Sequence, residues 1–147
     1  MNNIFNQLKH FNRGENWGDP DRMNGAYLLV LDAIRDRMGM EYVVHYGTQG
    51  LHSPGSQHPI GNGSDGHFIT SHSYFNQIVK LETILIDLQV DDRMGIGIYP
   101  AWNTPGFHSD LRGFKARWGW IGEVDPKGHK VYCSYEKARH FAEAMEK

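Results

Sequence analysis

The run Ser56-Gln57-His58-Pro59-Ile60-Gly61-Asn62-Gly63-Ser64-Asp65 decides the reading of this chain. Its imidazole and its carboxylate are both groups that zinc accepts as ligands. Gly61 and Gly63 supply a bend that lets His58 and Asp65 reach one ion, because glycine adopts backbone angles closed to other residues. Alone, a His and an Asp at this spacing are a weak signal. The run lies within residues 47–66, rich in Gly, Ser, Pro and His, which read as one long loop. Long loops inside compact domains are usually functional.

A second polar run is Gly106-Phe107-His108-Ser109-Asp110-Leu111-Arg112. Read as a strand, it puts His108, Asp110 and Arg112 on one face and Phe107, Ser109 and Leu111 on the other. An imidazole, a carboxylate and a guanidinium in a row suit a wet cleft. The solvated outer face of an edge strand is the competing reading.

Outward from these runs, the pattern alternates between helices and short strands. Asp19-Pro20 reads as an N-cap followed by proline at the first helical position. The helix then carries Tyr27, Leu28, Leu31, Ile34 and Met38 as a buried stripe and stops near Gly39. Residues 41–46 and 64–69 read as strands. Ser71 or Ser73 caps a second helix bearing Phe75, Ile78, Val79, Leu81, Ile84, Leu85 and Leu88. Strands are expected over 94–99, 106–112 and 115–121, with a short one at 131–133, before a last helix over 135–145 capped by Ser134. Without regular strand–helix–strand alternation, this is an α+β domain, a small antiparallel sheet flanked by helices.

The 147 residues make one domain, residues 1–147, with enough apolar (39%) and aromatic (12%) content to fold around a core. Net charge is -2 and the basic residues are scattered, so no nucleic-acid face is expected. Cys133 is the sole cysteine, which excludes a disulfide framework and a cysteine-rich zinc site. No stretch has signal-peptide or membrane-span character, so the expectation is cytoplasmic synthesis without membrane insertion. Nine histidines are unusual for this size, and five of them fall within residues 45–72.

The first run resembles the Ser-x-His-x-x-Gly-x-Ala-x-Asp signature of the zinc D-Ala-D-Ala carboxypeptidases, metallopeptidase family fifteen, which share a fold with murein endopeptidases and the hedgehog signalling domain. Gly95-Ile96-Gly97-Ile98-Tyr99-Pro100, Phe107-His108-Ser109-Asp110 and Arg117-Trp118-Gly119 resemble that family's closing strands. The likeness spans about residues 12–120, and its specificity lies in the shared order and spacing of the motifs. It implies that His58, Asp65 and His108 hold one Zn²⁺ with water as the fourth ligand, in a hedgehog-like α+β fold. It implies hydrolysis of D-amino-acid-containing bonds in the peptidoglycan stem or cross-link. The carboxypeptidase and endopeptidase forms both stay open. A phage or prophage endolysin, acting on the wall after release, fits the missing signal segment.

Three departures stand out. Gly63 replaces the usual small alanine, a change expected to be sterically harmless. Val44-His45-Tyr46-Gly47 stands where many relatives read Ser-Gly-Tyr-Arg, so the carboxylate-binding arginine is missing. Pro105 occupies the place of a catalytic acid three residues before the last ligand. The acid/base role then falls to Asp110, which competes with an orienting role for that residue, or to His52. Arg112 is the replacement candidate for the carboxylate grip, and Tyr99 and Trp118 are candidates to line the cleft. His45, His67 and His72 read as structural or surface residues, and Trp17, Trp102 and Trp120 suggest no mechanism. The alternative is a non-catalytic, zinc-containing cell-wall or phage-tail binding module of the same fold.

Overall fold

In a computed structural model of the chain, residues 3–49 and 56–146 are described. Helix α1 is Gly25–Met38, followed by strands β1 (Glu41–Tyr46) and β2 (Gly63–Ile69), helix α2 (Tyr74–Asp87), strands β3 (Gly95–Tyr99), β4 (Gly106–Asp110) and β5 (Ala116–Gly119), and helix α3 (Tyr135–Ala144). The α+β class is as expected. The sheet order is β1-β2-β4-β3-β5.

Two expectations need correction. The sheet is mixed rather than antiparallel, because β5 runs parallel to β3 while the other neighbours are antiparallel. Residues 100–115 form a wide return through β4, which delivers β5 to the far side of β3 in the same direction. The Asp19-Pro20 signal is real but belongs to a single 3-10 turn, Pro20–Arg22. Helix α1 begins later, where the Asn24 side chain accepts the Tyr27 N–H. It ends at Gly39, as read, in the left-handed conformation that favours glycine. Ser73 and Ser134 cap α2 and α3 through their hydroxyls. Residues 131–133 make only an isolated bridge, Gly119 to Cys133.

Strand alternation divides the sheet into two faces. Tyr42, Val44, Phe68, Ile96, Ile98 and Phe107 point into the core, where they join Leu28, Leu31 and Ile34 of α1, Ile78, Leu81 and Leu85 of α2, and Ala138 and Ala142 of α3. Removing these side chains from water supplies the main stabilisation, at about 25 cal/mol per Å² of apolar surface. The other face carries Asp65, His67, His108, Asp110, Tyr99 and Trp118. No helix among the described residues is long and apolar enough to cross a membrane.

A polar tie lies within the apolar layer directly behind that second face. The buried Tyr27 hydroxyl bonds both Ser64 on β2 and Ser109 on β4, the latter at 2.8 Å. Burial pushes the phenol's pKa upward, so it stays a neutral partner. Each serine adjoins a residue of the opposite face, Asp65 or His108, so helix α1 fixes the spacing of those two strands. Tyr27→Phe strands two buried hydroxyls without their shared partner, at a cost of about 1–3 kcal/mol. Urea unfolding should show a lower midpoint with an unchanged slope; an unaltered midpoint would remove the tie from the account.

Candidate metal centre

Asp65 on β2 lies directly across from His108 on β4, so the sheet register itself puts carboxylate and imidazole side by side. His58 arrives from the turn before β2. That turn is closed by the Gly61 N–H to the His58 carbonyl and the Asn62 N–H to the Gln57 carbonyl, both 3.0 Å. Gly61 sits at φ +74 and packs its backbone against Arg22 and Met23. A side chain there would meet both strain and collision.

The three donor atoms converge. His108 Nδ1 is 2.8 Å from Asp65 Oδ1 and 3.1 Å from His58 Nε2, and His58 Nε2 is 3.3 Å from Asp65 Oδ1. Tetrahedral ligands at about 2.0 Å from zinc are separated by about 3.3 Å, so a small relaxation accommodates the ion. Each imidazole is also held through its other nitrogen. His58 Nδ1–H donates to the Gly47 carbonyl at 2.9 Å, and His108 Nε2–H donates to Asp110 Oδ2 at 2.6 Å. These bonds leave the lone pairs of His58 Nε2 and His108 Nδ1 pointing at one place beside Asp65. Partners of this kind orient metal ligands and raise their basicity. The donor set could therefore hold a metal ion.

This geometry places the expected site residues as follows. Asp110 is fully buried and saturated: besides His108, it accepts from Arg112 Nε at 2.8 Å, from Arg112 Nη2 at 2.6 Å and from the Gly95 N–H at 3.1 Å. Each of its oxygens accepts two bonds, the arrangement of a group that orients its neighbours. Arg112 is spent on Asp110, and its guanidinium lies 5.1 Å from the Trp118 ring centre. In the row expected in a wet cleft, His108 and Asp110 are buried with the rest of β4, and Arg112, just beyond the strand, is half-buried. Tyr99 is buried as well, its hydroxyl accepting the Trp118 N–H at 2.8 Å, and Trp118 packs 5.2 Å from the His108 ring. His52 lies outside the described residues.

The departures from the resembled motif also acquire causes. A side chain at Gly47 would collide with the backbone of Trp17, whose carbonyl accepts the Thr48 N–H. No arginine fits there, and the Gly47 carbonyl is already committed to His58. A methyl group at Gly63 would come within 2.9 Å of the Asp110 Cβ and the Ser109 carbonyl. Glycine is required at 63 in this chain.

Four residues that the sequence reading passed over border the centre. His45 Nε2 and His67 Nδ1 share a hydrogen bond at 2.6 Å, and His45 packs 5.4 Å from Trp102. Burial lowers the pKa of both imidazoles. The alternation that put Asp65 on this face also puts His67 there, two residues on. His45 was not readable, because it is the extra residue of a bulge between Val44 and Tyr46, and bulges re-aim side chains. Tyr132 packs against Tyr99 at 6.5 Å, and burial together with the nearby Asp65 charge raises its pKa.

Burial works against a charged His108, but its bonds to Asp110 and Asp65 outweigh it and push the pKa up to about 8. Against burial, bonds from His108 and His58 hold the Asp65 carboxyl, and bonds from Arg112 and His108 hold that of Asp110, well below the usual carboxylate range. Because the folded value exceeds the unfolded one of about 6.5, metal-free protein has this stabilisation in full below pH 6.5. It loses it as pH rises through about 8. A bound metal ion would compete with that proton, so metal affinity should climb over the same interval and then level off; a flat profile would exclude His108 Nδ1 as a ligand. Asp110→Asn should weaken zinc binding about 10- to 100-fold, and Gly63→Ala should also weaken it; elemental analysis after dialysis against a graded chelator measures both.

A scan of family models and searches of curated proteins and solved structures found no match to this chain.

Proposed function

We propose that the chain is a zinc-dependent peptidase that hydrolyses D-amino-acid-containing peptide bonds of the peptidoglycan stem or cross-link. The observation that carries this is the convergence of His58 Nε2, Asp65 Oδ1 and His108 Nδ1, each imidazole held by a partner on its other nitrogen. Three protein ligands leave a tetrahedral ion one open position, the pattern of catalytic rather than structural zinc. The peptidoglycan substrate rests on the likeness of the run 56–65 and of strands β3, β4 and β5 to the zinc D-Ala-D-Ala peptidases. That the runs carrying the likeness meet in one sheet supports it. A phage or prophage origin, with action on the wall after release, belongs to the same reading.

When bound, zinc supplies Lewis acidity, polarising a scissile carbonyl and making water a better nucleophile near neutral pH. The chain's own residues supply the rest. Asp110, backed by the two-point grip of Arg112, keeps the proton on His108 Nε2 and the lone pair on Nδ1. Asp65 is held ionised by the two imidazoles. With Pro105 unable to exchange a proton and Asp110 turned away, that task falls to the His45–His67 pair. Its depressed pKa keeps it neutral and able to accept a proton at neutral pH.

A second reading, a wall or tail binding module that keeps the fold and has lost hydrolysis, is favoured by one observation: every acceptor of Asp110 is already engaged. One assay separates the two. The zinc-loaded protein should clear a suspension of purified cell walls and release new amino groups, and EDTA should stop it. Sedimentation with the walls without new amino groups would favour the binder. His45→Ala should keep its zinc and lose about 100-fold in turnover, the usual scale for a lost proton-transfer group. Unchanged turnover would reassign the role to His52.

A further inference from the structure

Residues 121–132 follow the stretch that carries the resemblance, yet Lys130 and Tyr132 reach the aromatic surface next to the metal centre. Val124 and Lys130 pair across a turn in which the Asp125 carboxylate accepts the N–H groups of Lys127 and His129, each at 2.9 Å. That turn sets the Lys130 ammonium 4.8 Å from the ring centre of Trp120 and 5.9 Å from that of Trp102. Trp102 stacks on Tyr99 at 4.5 Å, Tyr99 accepts the Trp118 N–H, and Trp118 packs on His108. Tyr132 joins the same surface through Tyr99 and is 55% exposed. An aromatic path therefore leads from Lys130 to a proposed zinc ligand.

Lys130 is exposed, and no carboxylate among the described residues pairs with it. The two acids of its own turn are directed elsewhere, Glu123 to Lys137 and Asp125 to His129. Indole faces attract a cation without neutralising it. The ammonium is thus held in position while its charge stays available. Arg112 cannot serve in its place, since Asp110 occupies its fork.

We infer that Lys130, set over Trp102 and Trp120, is a recognition subsite for a carboxylate carried by a peptide substrate, whose backbone lies along the adjoining rings. The inference rests on the peptidoglycan reading, in which the acidic residue of the stem supplies that carboxylate. It places the Lys130 ammonium three rings away from His108, so it reads a part of the substrate remote from the bond cut.

The test uses the zinc-loaded chain and two synthetic stem pentapeptides, one with the acidic residue's α-carboxylate free and one with it amidated. Binding is followed by tryptophan fluorescence and cleavage by mass. Wild-type protein should bind the free acid about tenfold more tightly than the amide, the scale of one charge-assisted contact. Lys130→Gln should erase that preference and raise KM for the acid with kcat unchanged, whereas Lys130→Arg should keep it. Equal affinity for the two peptides, no binding of either, or a preference that survives in Lys130→Gln overturns the subsite. If the preference holds but neither peptide is cut, the subsite stands and the peptidase reading falls.

Discussion

One proton, the one on His108 Nε2, organises this site. Its bond to Asp110 fixes the imidazole so that Nδ1 faces Asp65 and His58. Asp110 is an effective partner because it is ionised while wholly buried, a state that needs compensation from several sides. Arg112 and the Gly95 N–H provide it. The relay in turn sets what the surroundings can be. Gly63 must lack a side chain to let Asp110 and His108 approach β2, and Trp118 covers the outer side of the ring.

The sheet performs two tasks with its two faces. Its inner face supplies apolar area against three helices, and its outer face carries charge and imidazoles. The hydroxyl of Tyr27 connects the two through Ser64 and Ser109, each next in sequence to a proposed ligand. Packing against α1 is thereby converted into ligand spacing. This is why a polar group is tolerated so deep in the core: it has partners on both strands.

Much of this was legible from local pattern. Period-two alternation in residues 106–112 gave the shared face of His108 and Asp110, and the run 56–65 gave His58 and Asp65. The capping serines 73 and 134 and the Gly39 stop follow from chemistry that acts within a few residues. What stayed hidden depends on register and on long returns. The parallel placement of β5 cannot be read from strand patterns, since direction is set by the path of residues 100–115. Asp110 looked available because the sequence does not say that Arg112 folds back on it. His45 and His67 looked unrelated because a bulge, invisible in composition, brings them together. Trp102 and Trp120 acquire a common neighbour only through the turn that carries Lys130.

The three donors do not share one mechanical origin. Asp65 and His108 face each other across paired strands, whereas His58 is carried by a turn that other segments hold: its ring bonds the Gly47 carbonyl, and the Asn24 and Leu111 N–H groups bond the Gly61 and Asn62 carbonyls. The site therefore draws two donors from the sheet and one from chain outside it. How tightly an ion is held depends on all three donors and on the relay behind His108. A change in any of those outside segments would reach an ion through His58 alone, and leave the Asp65–His108 pair as the sheet sets it.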